Sequence, residues 1–403
     1  MRIGIVSAYP WLKKWDNYGT LLQNYALQRH LQSQGHNTYW IRATNAKSQP
    51  PRGSHKKNAL GDPGLLARLI PGYRRSYLTN LIAHLKKRKK AALHEKIKRF
   101  NSGHPRHFDE FFSKHIHHTR KEYTFAELVT HPPNADAYIA GSDQIWGSSS
   151  PLYFLGFGPS STKRIAYAVS APWSSLDPEW FEVVREEIRR FDAVSVRERA
   201  GLHVCLQLGR SDVIQVLDPT MLLDRKEYLA LVEAEGARRV FERPLLLCYF
   251  LNAWDLKELP WLAVKELASK LRVDLKVIPL QGSELIIPDE YVLAPTPAEW
   301  INAFAESHYI VTNSFHGVLF AIIMRKPFLA ILPQGSIARE NSRIISILEL
   351  LGLSDRAFPS NSCATKVADL YKTLLKPIDW SSIGILVERL RRTSITFLSN
   401  ALR

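Results

Sequence analysis

The chain has 403 residues, 45% of them hydrophobic and 10% aromatic, which excludes a disordered polypeptide and exceeds what one ordinary core holds, so two domains are expected. Lys and Arg outnumber Asp and Glu by 54 to 38, a formal charge of +16, so the expected partners are anions: nucleic acid, an anionic membrane face or a small phosphorylated substrate. Three widely spaced cysteines (Cys205, Cys248, Cys363) form no C-x-x-C pair and no disulfide framework, and no apolar run reaches membrane-spanning length, so a soluble cytoplasmic protein is expected.

Residues 2–7 read as a buried strand, without the apolar h-region of a signal peptide. An aromatic loop follows at 8–19, with Trp11, Trp15 and Tyr18 as a possible sugar platform or as core. Thr20 opens a helix with Leu21, Leu22, Tyr25, Ala26 and Leu31 at helical spacing, which Gly35 ends, and 36–42 is the next strand. This β-α-β start marks a parallel, helix-covered sheet. The missing G-x-G-x-x-G weakens a dinucleotide reading. Residues 43–107 interrupt the alternation, and the run Lys86 to Arg99 carries eight cations against Glu95 alone. It reads as a basic helical insertion, either solvated or in peripheral contact with an anionic membrane surface at the inner face.

Alternation resumes with strands expected at 135–140, 164–170, 192–197 and 213–217, and helices at 180–191 and 198–208. The charged stretch 224–243 reads as a domain junction. Strands are then expected at 245–251, 275–280, 309–312 and 328–332, with helices near 255–272, 297–306, 316–326 and 339–351. Residues 1–223 and 244–375 thus form two Rossmann-like domains, and 376–403 a C-terminal helix returning to the first. The expected class is α/β and GT-B-like, with polar loops past the strand ends, where open α/β sheets bind ligands.

His316, between a strand end and a helix start, is the strongest candidate for a general acid, because free N–H groups and the helix dipole there favour an anion. Asn313 and Ser314 share that elbow. Arg197 and Arg199 follow a strand, and alternation places both on one side to capture carboxylate or phosphate. Asp143, on a tight loop, suits activation of an acceptor hydroxyl or a simple turn. Arg339 and Arg343 have i, i+4 spacing and are expected on one helical face.

Five segments together resemble the polysaccharide pyruvyl transferase family: Asn17-Tyr18-Gly19-Thr20 with the helix after it, Gly141-Ser142-Asp143-Gln144-Ile145-Trp146, Ser195-Val196-Arg197-Glu198, Asp218-Pro219-Thr220, and Thr312-Asn313-Ser314-Phe315-His316-Gly317 followed by Arg343. The resemblance implies phosphoenolpyruvate as donor, a glycan or lipid-linked oligosaccharide as acceptor, a ketal as product, and donor roles for His316 and Arg197. It requires no metal or other cofactor. Some members carry an arginine two residues before the histidine; here Ser314 stands there, so Arg343 or Arg339 is expected to supply the cation. Two further readings stay open: a glycosyltransferase using a nucleotide sugar on the same fold, and, from charge alone, a nucleic-acid binder, which the strand-end motifs oppose.

Overall fold

A computed structural model describes residues 1–8, 17–44, 92–93, 95–147, 150–171 and 178–403, without the side chains of 44, 178–180, 336–337 and 339. The chain divides into two compact units, 1–46 with 106–403, and 47–105. Of the second unit, residues 95–103 are helical; Lys86 to Lys90 lie outside the described residues, as do Trp11 and Trp15.

In the larger unit, apolar runs form strands where they are short and bounded by polar turns. The strands are β1 (Arg2–Val6), β2 (Asn37–Trp40), β3 (Ala43–Thr44), β4 (Tyr123–Thr124), β5 (Ala137–Ala140), β6 (Lys163–Val169), β7 (Ala193–Val196) and β8 (Ile214–Gln215). After the junction come β9 (Leu245–Leu251), β10 (Asp274–Leu280), β11 (Tyr309–Thr312), β12 (Phe328–Leu332) and β13 (Ala357–Pro359). Two sheets result, with orders β2-β1-β5-β6-β7-β8 and β10-β9-β11-β12-β13; β3 and β4 pair separately. The pairings within both sheets are parallel. Strands such as β5, buried at every residue, therefore read as continuous apolar runs rather than alternating ones.

The helices are α1 (Tyr18–Ser33), α2 (Phe108–His115), α3 (Phe125–Thr130), α4 (Pro178–Arg189), α5 (Arg199–Gln207), α6 (Arg225–Ala234), α7 (Trp261–Leu271), α8 (Pro297–Glu306), α9 (Phe315–Ile323), α10 (Asn341–Leu351), α11 (Val367–Leu375) and α12 (Trp380–Leu402). α1 starts where the Asn17 side chain accepts from Thr20 N–H, and it is buried almost all round. α9 starts at Ser314, whose hydroxyl accepts from Gly317 N–H. α12 reaches the first sheet: Ser394 Oγ accepts from Leu217 N–H, and Arg391 Nε donates to the Met221 carbonyl. None of the described helices is long and apolar enough to cross a membrane.

The order of each sheet reverses once. The first reverses between β1 and β5, the second between β9 and β11. Crevices open at the carboxyl ends of strands flanking such a reversal. Asp143 lies three residues past β5, and His316 four residues past β11.

Candidate functional site

His316 is the second residue of α9 and is buried. Its ring lies against the backbone of Gly19 in the first turn of α1: a Cβ on Gly19 would fall 2.0 Å from His316 Nδ1. No side chain larger than hydrogen fits there. On the other side, Nε2 stands 3.6 Å from Asp218 Oδ2, too far for a hydrogen bond, and has no hydrogen-bond partner among the described residues. Gly317 has a similar cause, since its Cβ would come within 2.3 Å of Thr312 Oγ1.

Asp218 is the hub of the site. Oδ2 accepts from Arg197 at 2.8 Å and from Ser142 Oγ at 3.0 Å, and Oδ1 accepts from the Thr220 hydroxyl and N–H. Burial pushes its carboxyl up, but the His316 imidazole and the Arg197 guanidinium outweigh burial and hold it well below the usual carboxylate range. Asp143 has φ 77, a left-handed backbone that a side chain rarely adopts. Its carboxylate accepts from Thr20 Oγ1 at 2.5 Å and from Arg197 at 3.4 Å. Burial again opposes ionisation, and Arg197, His316, Thr20 and Arg343 together keep it below the usual range.

Arg197 therefore serves three carboxylates: Asp218, Asp143 and, at 3.6 Å, Glu198. Glu198 is fully buried and accepts from Ser170 Oγ at 2.8 Å. Burial raises its carboxyl more than Arg197 and the Ser170 hydroxyl lower it. Two guanidinium groups lie over the Phe315 ring, Arg197 at 4.7 Å and Arg343 at 5.8 Å from its centre. Arg343 also donates to Glu340 at 3.0 Å and keeps an exposed edge.

The structure thus gathers Gly19, Asp143, Arg197, His316 and Arg343. Other expected site residues are placed differently. Strand β7 ends at Val196, so alternation does not carry Arg199 to the side of Arg197; Arg199 begins α5, is 70% exposed and faces Glu349 at 3.9 Å. Arg339 lies in a 3-10 turn, Gly335–Glu340, and α10 begins only at Asn341, so Arg339 and Arg343 do not share an α-helical face. The side chain of Arg339 is outside the described residues. Tyr18 turns into the core, donating to the Pro295 carbonyl at 2.5 Å and stacking on Trp300. Asn17 and Ser314 cap helices. Asn313 uses its side-chain amide to bridge both backbone groups of Leu251.

Asp218, Glu198, Thr20 and Phe315 complete the cluster; the sequence places each in a segment of the family resemblance without marking it as a site residue. The signal present was an acid set directly after an apolar run, Val216-Leu217-Asp218, where a carboxylate needs a buried partner. Among the described residues no cluster of His, Cys, Asp and Glu could hold a metal ion.

A family model described as polysaccharide pyruvyl transferase matches residues 17–335. No curated protein sequence matches the chain significantly. Among solved structures, UDP-GlcNAc 2-epimerase from Methanocaldococcus jannaschii is 10% identical, with 98% of this chain and 99% of that one covered and a TM-score of 0.49. The corresponding enzyme from Neisseria meningitidis is 11% identical, with 98% and 100% covered and a TM-score of 0.47. A glycosyltransferase from Rickettsia africae is 12% identical, with 100% and 96% covered and a TM-score of 0.44.

Proposed function

We propose that this chain, which belongs to the polysaccharide pyruvyl transferase family and is a transferase, moves the enolpyruvyl group of phosphoenolpyruvate onto a glycan hydroxyl pair and leaves a pyruvate ketal. The observation that carries the reading is His316: a titratable ring at a helix start, set between Gly19 and Asp218, with Nε2 in ion-pair range of Asp218 and without a hydrogen-bond partner among the described residues.

In this reading His316 gives a proton to the methylene carbon of the donor, which makes C2 electrophilic. Asp218 Oδ2, 3.6 Å from Nε2, is the counter-charge when the ring carries that proton. One sugar hydroxyl bonds to C2 and passes its proton to Asp143, whose depressed carboxyl is ionised at neutral pH. The C2–O bond to phosphate breaks, and the second hydroxyl closes the ketal on C2. Of the two hydroxyl protons, one replaces that spent by His316 and the other leaves with phosphate. The start of α9 and the exposed edge of Arg343 face the anionic donor. Arg197, fully buried and engaged with carboxylates, holds the cluster in register and acts on the donor through its field.

The test is phosphate release from phosphoenolpyruvate with a panel of glycan acceptors. General acid help is worth about 10²–10⁴-fold, so His316→Ala should lose at least about 10² in kcat while keeping its fold. Full activity in that variant would remove His316 from the chemistry. Thermal protection by UDP and none by phosphoenolpyruvate would replace the reading with transfer from a nucleotide sugar.

A further inference from the structure

A groove of about 1370 Å³ shares no lining residue with the cluster around His316. Lys163, Ala193 and Ile214, the first residues of β6, β7 and β8, line it. So do Ile322 and Ile323, the last residues of α9, and Arg325 just beyond them. α12, from Trp380 to Ala401, supplies most of the rest. The groove is therefore at the amino ends of the strands, and the crevice is at their carboxyl ends.

Two residues that meet in the groove are poor choices for their own backbones. Arg325 follows the C-cap of α9 with φ 56. Its N–H donates to the Ile322 carbonyl at 3.0 Å, and that of Lys326 to the Ala321 carbonyl at 2.9 Å. This closing motif needs a left-handed residue and is usually filled by glycine. Gly384 shows the reverse. It lies inside the 23-residue α12, where glycine is a weak helix former. A Cβ there would meet only Arg325 Nη2, at 3.9 Å, an ordinary contact, so alanine would fit. An arginine thus stands where glycine suits the chain, and a glycine where alanine suits it. Local preference of this kind gives way where a residue has another task. Here the glycine leaves α12 bare, and the guanidinium stands across from the bare position.

The groove is also unbalanced in charge, with six cations against three acids in its lining. The acids are engaged. Glu388 pairs with Arg391 and Arg392 at 2.7 and 3.4 Å, Asp224 accepts from Glu227 N–H, and Asp192 accepts from Arg164 N–H. Arg225, Arg325 and Arg389 form no ion pair and no side-chain hydrogen bond among the described residues. Apolar side chains share the lining with them: Ile322, Ile323, Trp380 and Ile385, the last 65% exposed.

We infer that the groove binds a single amphiphilic phosphate, an apolar chain ending in a phosphate monoester. Such a head carries up to two charges and three acceptor oxygens, which suits several unpaired guanidinium groups. The isoleucines and Trp380 offer the chain a surface that removes it from water. The occupant is not a reactant, and the inference does not rest on the proposed function.

The experiment titrates decyl phosphate, below its micelle concentration, into the full chain by calorimetry. Decyl maltoside, inorganic phosphate and phosphatidylglycerol vesicles are the other arms, and Arg325→Gly, Arg389→Ala and Gly384→Leu are the variants. A charge-assisted hydrogen bond is worth about tenfold in affinity. The expected result is binding of monomeric decyl phosphate and of neither the maltoside nor inorganic phosphate. Affinity should fall about tenfold in Arg325→Gly and in Arg389→Ala, and be lost in Gly384→Leu, whose side chain fills the bare position. Arg325→Gly and Gly384→Leu suit their backbones better than wild type does, so both should melt at or above its temperature, which separates lost binding from lost fold. No binding of decyl phosphate, or unchanged affinity in all three variants, would overturn the inference. Equal binding of the maltoside would remove the role of charge, and equal binding of inorganic phosphate that of the chain; either overturns it. Binding of the vesicles without the monomer would do the same, in favour of a membrane-facing surface.

Discussion

Two openings in the larger unit differ in almost every physical respect. One is the crevice at the carboxyl ends of both sheets, where His316, Asp143 and Arg343 each keep only a small exposed edge. The other is a groove of about 1370 Å³ lined by Lys163, Asp192 and Ile214 at the amino ends of β6 to β8, and by Arg325, Trp380 and Arg389. Of the charges that line the groove, Arg325 and Arg389 are solvated. In the crevice the charges of the described residues Asp143, Arg197, Asp218 and His316 are buried and coupled to one another. Volume marks where a ligand fits; coupled buried charge marks where protons can be moved. On that ground we propose the crevice, not the groove, as the reactive opening.

The sharpest way to break the comparison is Asp218→Ala. Removing one member of a buried ion pair costs about 3–5 kcal/mol, and here the loss also takes away the counter-charge of His316. A urea midpoint and phosphate release should both fall. Retained stability would mean that the cluster is less coupled than its distances state. Gly19→Ala separates the two effects. The new Cβ would occupy the space of His316 Nδ1, so the ring must move, at about 1–3 kcal/mol for overpacking. Alanine in a first helical turn returns part of that cost. Activity should fall about as far as in His316→Ala while thermal unfolding shifts only modestly.

How legible this was in the sequence depends on range. Strands β9, β11 and β12 begin and end where the apolar runs Leu245–Leu251, Tyr309–Thr312 and Phe328–Leu332 do, because buried parallel strands need nothing else. β13, three residues ending in Pro359 at a sheet edge, has no pattern to read. His316 was legible because strand, polar elbow and helix start are contiguous. Asp218 was not, since its partners Arg197, Ser142 and His316 come from three other segments and meet only in the fold. Tyr18 failed for the same reason: its partner Trp300 is supplied by α8, in the second half of the chain.

Acid should weaken the crevice. Asp143 and Asp218 have carboxyls held below their ordinary value, so they contribute stability that is present above the unfolded pKa, about 3.9, and lost as pH falls through the folded values. Glu198 has the opposite sign, since its carboxyl is raised and its protonation on acidification favours the folded state. Net stability should therefore decline below about pH 4, with Glu198 offsetting part of the loss. A thermal midpoint followed from pH 6 to pH 3 measures this. Asp218→Asn should flatten the curve; an unaltered slope would place the acid sensitivity elsewhere.

The smallest effect belongs to the groove, and it tests the comparison from the other side. Arg389 is exposed on α12. Among the described residues none forms an ion pair with it, and alanine suits a helix at least as well. Arg389→Ala should stay within about ±0.5 kcal/mol of wild type, as surface substitutions do, and leave phosphate release unchanged at saturating donor and acceptor. If instead turnover fell while the thermal midpoint held, the solvated cations of the groove would be touching a reactant. Volume, not coupled charge, would then have been the better guide to this molecule.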